Sequence, residues 1–251
     1  MKPAPSRYQR GSRLARMFSG LALIAVLSGV FCIDAANLYF SAEGSGVLDL
    51  ADTIEGGFQH DYNYLARFVA DNSLDQPYNY CGDRLTRARL TVALAFLDAA
   101  NRQSDPQLKA AAGKTALLVT KQRLICSPLD GNAWLRLAMI GDQSGELRSK
   151  VSESLQLSYW SAPNEAWIIE NRLRLATHLY LSGERSIEQD YVRDLRNFVA
   201  YESPNQIARS YVKAAPSIRA LLNPIIAALA EPRKAAVVDK IDQGGLIFKA
   251  K

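Results

Sequence analysis

Segment after segment of this chain repeats one pattern, a run of about 10 to 20 residues with apolar side chains three and four apart, ended by proline or glycine. DRLTRARLTVALAFLDAANR puts Leu85, Ala88, Val92, Ala95 and Phe96 on one side of a helix. Asp105-Pro106 opens the next, since proline is tolerated in a first turn, and QLKAAAGKTALLVTKQRLI carries it to Cys126. Pro128, Asp130 and Gly131 break the chain before NAWLRLAMIGD, Gly145 precedes ELRSKVSESLQLSYW, and Pro163-Asn164 precedes EAWIIENRLRLATHLYLSG. SIEQDYVRDLRNFVAYE, PNQIARSYVKAA and PSIRALLNPIIAALA follow, shortened or kinked by the prolines at 204, 216, 224 and 232. No strand hairpin pattern interrupts them. Such a string of helices on short turns predicts an all-α fold of antiparallel helical hairpins, a bundle or an α-solenoid.

Upstream of Cys81 the pattern weakens. SAEGSGVLDLADTIEGG is small, acidic and rich in glycine, which reads as a linker containing at most a helical turn. Tyr64, Leu65, Phe68 and Val69 then mark a short helix stopped by Asp71-Asn72. The expected organisation is a basic tail over 1–16, a membrane anchor over 17–33, a juxtamembrane linker with a short helix over 34–80, and a helical-repeat domain over 81–251.

Charge places the anchor. The formal net charge is +5, and residues 1–33 hold Lys2, Arg7, Arg10, Arg13 and Arg16 with no acidic residue. The remainder balances, 25 basic against 25 acidic residues, and offers no basic face for a phosphate backbone, which argues against a nucleic-acid partner. MFSGLALIAVLSGVFCI, residues 17–33, carries no charge and is a short but adequate spanning helix. Arginines before it and Asp34 after it predict a single-pass protein with a cytoplasmic N-terminus and the body outside, in the periplasm of a bacterial envelope. A cleaved signal peptide, with Asp34-Ala35-Ala36 as the nearest small-residue site, and a buried segment or one lipidated at Cys32 are the alternatives, the last disfavoured by bulky Val30 and Phe31 before the cysteine.

Pro128 and Pro163 lie 35 residues apart, each ahead of a helix bearing a tryptophan, Trp134 and Trp167. That spacing is close to a tetratricopeptide period. Trp134, Leu137, Ala138 and Gly141 fit the large-then-small order of a first helix, and Val151, Leu155 and Ser158 fit the second. SPLDGNAWLRLA followed by SLQLSYWSAPNEAWIIENRLRLA resembles the small membrane-anchored, tetratricopeptide-like repeat proteins of bacterial exopolysaccharide biosynthesis clusters, through Pro128, Trp134, Leu137, Ala138, Pro163 and Arg172. The resemblance covers roughly residues 120–180 and implies an accessory role in polysaccharide assembly or export, with polymerase or export components as partners.

If the body is outside the cytoplasm, Cys81 and Cys126 sit in an oxidising compartment. An antiparallel hairpin brings the start of one helix to the end of the other, so a Cys81–Cys126 disulfide is expected, with two buried thiols as the alternative. Catalytic constellations are scarce. His60 reads as a solvated turn residue and His178 as a packed or half-exposed one, and two isolated histidines build no zinc site. No G-x-S-x-G elbow, P-loop or dinucleotide fingerprint occurs, and Gly56-Gly57 and Gly244-Gly245 read as turns. Asp49, Asp52 and Glu55 read as a solvated acidic face rather than as glycosidase carboxylates. Arg172 and Arg174 point in different directions, one of them expected to hold a carbonyl or carboxylate of a neighbouring turn. The expectation is a non-catalytic scaffold without a cofactor or metal, meeting protein partners through Trp134, Trp167, Arg172 and Tyr180. An envelope enzyme or a saccharide- or peptide-binding protein using the tyrosines is the alternative.

Overall fold

Side-chain caps set four of the helix starts. Asp61, Asp105, Asp130 and Ser203 each occupy an N-cap and accept a backbone N–H from Tyr64, Gln107, Ala133 and Gln206 respectively. Pro106, Pro204 and Pro216 fall in first turns, where their missing donors go unnoticed. The computed structural model describes residues 26–31, 44–78 and 80–249. Every regular element among them is a helix: α1 (26–31), α2 (Ser45–Glu55), α3 (Tyr62–Asp71), α4 (Asp83–Asn101), α5 (Pro106–Cys126), α6 (Gly131–Gln143), α7 (Arg148–Ser161), α8 (Ala166–Leu181), α9 (Glu188–Tyr201), α10 (Pro204–Lys213), α11 (Pro216–Ala227) and α12 (Glu231–Lys249). The protein is all-α.

Three successive antiparallel hairpins, α4–α5, α6–α7 and α8–α9, form the middle of the stack. Their prolines and caps put the N-termini of α4, α6 and α8 and the C-termini of α5, α7 and α9 at one common end. The starts of α6 and α8 are 35 residues apart, as Pro128 and Pro163 predict, but α10 follows α8 by 38 residues and the register is lost there. Beyond it, α10 packs on α12 and α11 on α9. One apolar core centred on Leu135, Leu155, Ile168, Leu179, Tyr191 and Ile207 runs from α6 to α12. A second joins α2 and α3 to α4 and α5, and Leu90, Ala93, Val119, Leu124 and Ala133 bridge the α4–α5 hairpin to α6.

Three expectations need correcting or limiting. Within the expected linker over 34–80, the described residues 44–78 are mainly packed helix, because α2 and α3 bury Val47, Leu50, Ala51, Leu65 and Val69 in the core shared with α4. The helical body therefore begins at α2, not at Cys81. Gly244-Gly245 is not a turn but lies inside α12, where Gly244 faces Val212 of α10. Among the described residues no helix is long and apolar enough to cross a membrane. The expected span over 17–33 lies outside them except for 26–31, which are helical with Val26, Leu27, Val30 and Phe31 exposed.

A close helix contact lies at the common end of α6 and α7. A Cβ added to Gly131, the first residue of α6, would overlap the Cβ of Ala162 and lie 3.1 Å from the Ala162 backbone nitrogen. Neither neighbour is a flexible side-chain tip that can move aside. Gly131→Ala is expected to lose about 1–3 kcal/mol in urea unfolding through overpacking. Gly113→Ala, inside α5 with open space around the added methyl, is expected to gain about 0.5–1 kcal/mol from helix propensity. Equal effects at the two positions would show that the close approach is not what fixes the glycine.

Candidate functional site

Arginine is the polar currency of the stack, and its first use is internal. The C-terminal carbonyls of a helix have no partner within the helix, and here the α7 end is closed by Arg172 of α8. Arg172 is 0% exposed. Its Nη1 donates to the carbonyls of Ser158 (3.1 Å) and Ala162 (2.7 Å), and its Nε and Nη2 donate to the two carboxylate oxygens of Asp194 on α9 at 2.8 and 3.1 Å. The guanidinium also lies 4.7 Å above the ring of Tyr159. Arg233 does the same for the end of α9 through the carbonyls of Val199 and Glu202. Arg219 does so for the end of α10 through Val212 and Ala214. Arg123 instead ties two N-termini, reaching Asp83 at 2.6 Å and the α6 cap Asp130 at 2.8 Å. Desolvation works against the Arg123 charge, but the hydrogen bonds and charges of Asp130 and Asp83 outweigh it and hold the guanidinium above its usual value.

That arrangement sorts the sequence-predicted residues. Arg172 is the structural arginine of its pair, while Arg174 is exposed and meets Glu170 at 3.2 Å. Tyr180 is buried, 5.6 Å from the ring of Tyr191 and capped by Arg185. Burial therefore removes Arg172 and Tyr180 from any partner-facing surface, a correction to their expected role. Trp134 is half-buried and donates its indole N–H to the Pro128 carbonyl at 2.8 Å, so it locks the turn before α6. Trp167 is 61% exposed. The 35-residue spacing aligns Trp134 with Ile169, not with Trp167, which leaves Trp167 off the packed face. Cys81 and Cys126 are joined by a disulfide with a Cα–Cα distance of 5.2 Å. His60 stacks on Tyr64 and faces the Thr53 hydroxyl, and His178 lies 3.7 Å from Asp142 at the surface. Asp52 and Glu55 pair with Arg84 and Arg87 at 3.6 and 3.7 Å, the solvated face expected of them. Among the described residues no group of three or more His, Cys, Asp or Glu could hold a metal ion.

One concave site collects side chains from five helices. Glu55 of α2, Arg87, Thr91 and Asp98 of α4, Arg123 of α5, Asp130 at the cap of α6, Asn132 and Arg136 of α6, and Trp167 of α8 line a groove of about 490 Å³. On α4 the residues fall at 87, 91, 94 and 98, one helical face. Three carboxylates and three guanidinium groups balance the groove, so it suits a mixed polar segment and not a polyanion. Desolvation pushes the Asp98 carboxyl up, opposed by Arg136 and Arg102, and pushes the Arg136 guanidinium down, opposed by Asp98. The Nε of Arg136 is closed off from solvent with no hydrogen-bond partner among the described residues, and its Nη1 donates to the Met139 sulfur at 3.9 Å. The groove thus joins charged groups of both signs to an exposed indole, that of Trp167. Sequence reasoning passed over Asp98, Arg123 and Arg136. Arg123 carried a signal, since it falls on the apolar stripe of its helix with Ala112, Ala116 and Val119.

Set against protein-family models, characterised proteins and solved structures, the chain matches none significantly. The fold and groove define the class on their own terms: an all-α protein of stacked, arginine-clamped helical hairpins with a mixed-charge groove.

Proposed function

We propose that the protein is a non-catalytic scaffold, anchored in the bacterial inner membrane by residues 17–33 with its helical body in the periplasm, whose groove receives a segment of a partner protein. The observation that carries the reading is the groove itself, whose lining includes charged groups of both signs, Arg136 of α6 among them, and the exposed ring of Trp167 of α8. A carboxylate from a partner would pair with the guanidinium groups that line the groove, and an apolar side chain would cover Trp167, the pairing typical of interface anchors. The bridged cysteines support a body in an oxidising compartment. Polysaccharide polymerase or export components are the partner class that the resemblance around Trp134 and Pro163 implies.

Copurification of the full chain from detergent-solubilised membranes tests this. Arg136→Glu and Trp167→Ala are each expected to reduce the recovered partner at least about tenfold, the effect of losing about 1.4 kcal/mol. Partner recovery unchanged by both substitutions would take the groove out of the proposal. Partners unrelated to polysaccharide synthesis would remove that assignment and leave the scaffold.

A further inference from the structure

Three hairpins in succession expose a large apolar side chain at one equivalent position. Ile125, Trp160 and Tyr201 each stand three residues before the proline that follows the hairpin, Pro128, Pro163 or Pro204, in the last turn of α5, α7 and α9. They are 79%, 86% and 84% exposed. Leu129, in the turn after Ile125, is also exposed. All four lie at the common end of the stack, and the repeat makes this a property of the architecture, not an isolated surface residue. Internal packing does not account for a tryptophan and a tyrosine left almost wholly in water three residues ahead of the proline that follows each hairpin.

The chain's own layout indicates what covers this end. Gly44, where the described body begins, lines a cavity with Tyr78, Leu85 and Arg89, beside the first two turns of α4 and so at the same end. Residues 34–43 separate it from the uncharged 17–33 segment, a reach of at most about 35 Å when fully extended. The opposite end lies farther off by the length of α4, about 28 Å for 19 residues. It exposes Leu147 and Leu181 but no tryptophan or tyrosine among the described residues of α4 to α9. Amphipathic aromatics with aliphatic neighbours are the side chains that settle at the headgroup level of a bilayer.

We propose that the end of the stack bearing Ile125, Leu129, Trp160 and Tyr201 rests against the lipid headgroup region, so that the body is docked on the membrane and not merely tethered to it. This rests on the anchor reading of residues 17–33. Charges at that end are of both signs, Arg84 and Lys121 against Asp83, Glu165 and Glu202, so zwitterionic lipid suffices and anionic lipid is not required.

The test uses the full chain in phosphatidylcholine vesicles whose upper acyl carbons carry bromine, a short-range quencher of indole fluorescence. A Trp134→Phe/Trp167→Phe protein retains Trp160 as its single reporter. A second protein, with all three tryptophans replaced by Phe and Leu147→Trp added, reports from the far end. Trp160 is expected to be quenched at least about twofold more than the far-end reporter, with Ile125→Ser/Tyr201→Ser reducing that difference. Because Trp134 locks a turn, the same contrast is also read as the quenching lost on Trp160→Phe alone, at a fully exposed site. Protein that fails to float with the vesicles overturns the anchor reading and this inference together. Protein that floats but shows equal quenching at both ends overturns the inference alone, as does Trp160 shielded from aqueous quencher without bromine quenching, which would put a protein surface there.

Discussion

Arg172→Met is expected to cost about 3–5 kcal/mol of unfolding free energy, because it leaves the Asp194 carboxylate buried without its cation and strips the α7 carbonyls of their donor. Both side chains of the pair are fully buried, so the loss is uncompensated desolvation rather than a lost surface ion pair. The effect carries a pH signature. Burial pushes the Asp194 carboxyl up to about 6 from 3.8, against the pull of Arg172. The folded state therefore holds that proton more tightly than the unfolded chain. The stability it confers is complete below the unfolded value and is lost as pH rises through about 6. Removing the guanidinium takes away the opposing attraction, so the carboxyl rises further and the loss extends to higher pH. Urea unfolding at pH 5 and pH 8 is expected to show Arg172→Met weakened much more at pH 8, by a wider margin than in the unsubstituted protein. Arg172→Met/Asp194→Leu, which removes both charges, is expected to be more stable than the single variant and to lose that pH dependence. A single substitution that costs under about 1 kcal/mol, or a double that is merely additive, would contradict the clamp.

The same pair shows what the sequence could and could not disclose. Arg172 falls at i+3 from Ile169 and i−3 from Leu175, on the buried stripe of its helix, and an arginine there signals a clamp because its charge must be matched inside. Which carboxylate matches it was not legible, since Asp194 lies 22 residues on and is one of several acids near α9. Helices α4 to α11 were legible because an apolar period runs through each of them and a proline, a glycine or a capping residue separates most of them from the next. α2 was not, because glycine and acid outweigh the small face of Val47, Leu50 and Ala51 that the fold buries. α12 was obscured by Gly244-Gly245, which a packed helix tolerates where α10 approaches. Trp167 was misplaced by matching residue type where the register places Ile169. The groove escaped for a different reason. Its residues read as the polar faces of separate helices, and only the packing of those helices brings Asp98, Arg136 and Trp167 to the lining of one groove.

Loss of the Cys81–Cys126 bridge is expected to cost about 3–4 kcal/mol, from a closed loop of 45 residues in the chain-entropy account. The bridge closes the open end of the α4–α5 hairpin, where Cys126 ends α5 and Cys81 stands two residues ahead of α4. Arg123 ties the same end through Asp83 and Asp130, but Asp83 is largely exposed and the Arg123–Asp83 contact alone is a weak substitute in water. The folded hairpin therefore survives without the bond while the unfolded chain gains freedom, so the change appears in the urea midpoint rather than in helix content. Cys81→Ser, Cys126→Ser and the double variant are expected to fall together, and reduction of the unsubstituted protein is expected to match them. A double variant that loses under about 1 kcal/mol would show that native contacts, not loop closure, secure the hairpin. The same bond tests location. In an oxidised extract alkylation is expected to label Cys32 alone of the three cysteines once the protein is unfolded, and labelling of Cys81 and Cys126 would place the body in a reducing compartment, against the proposed topology.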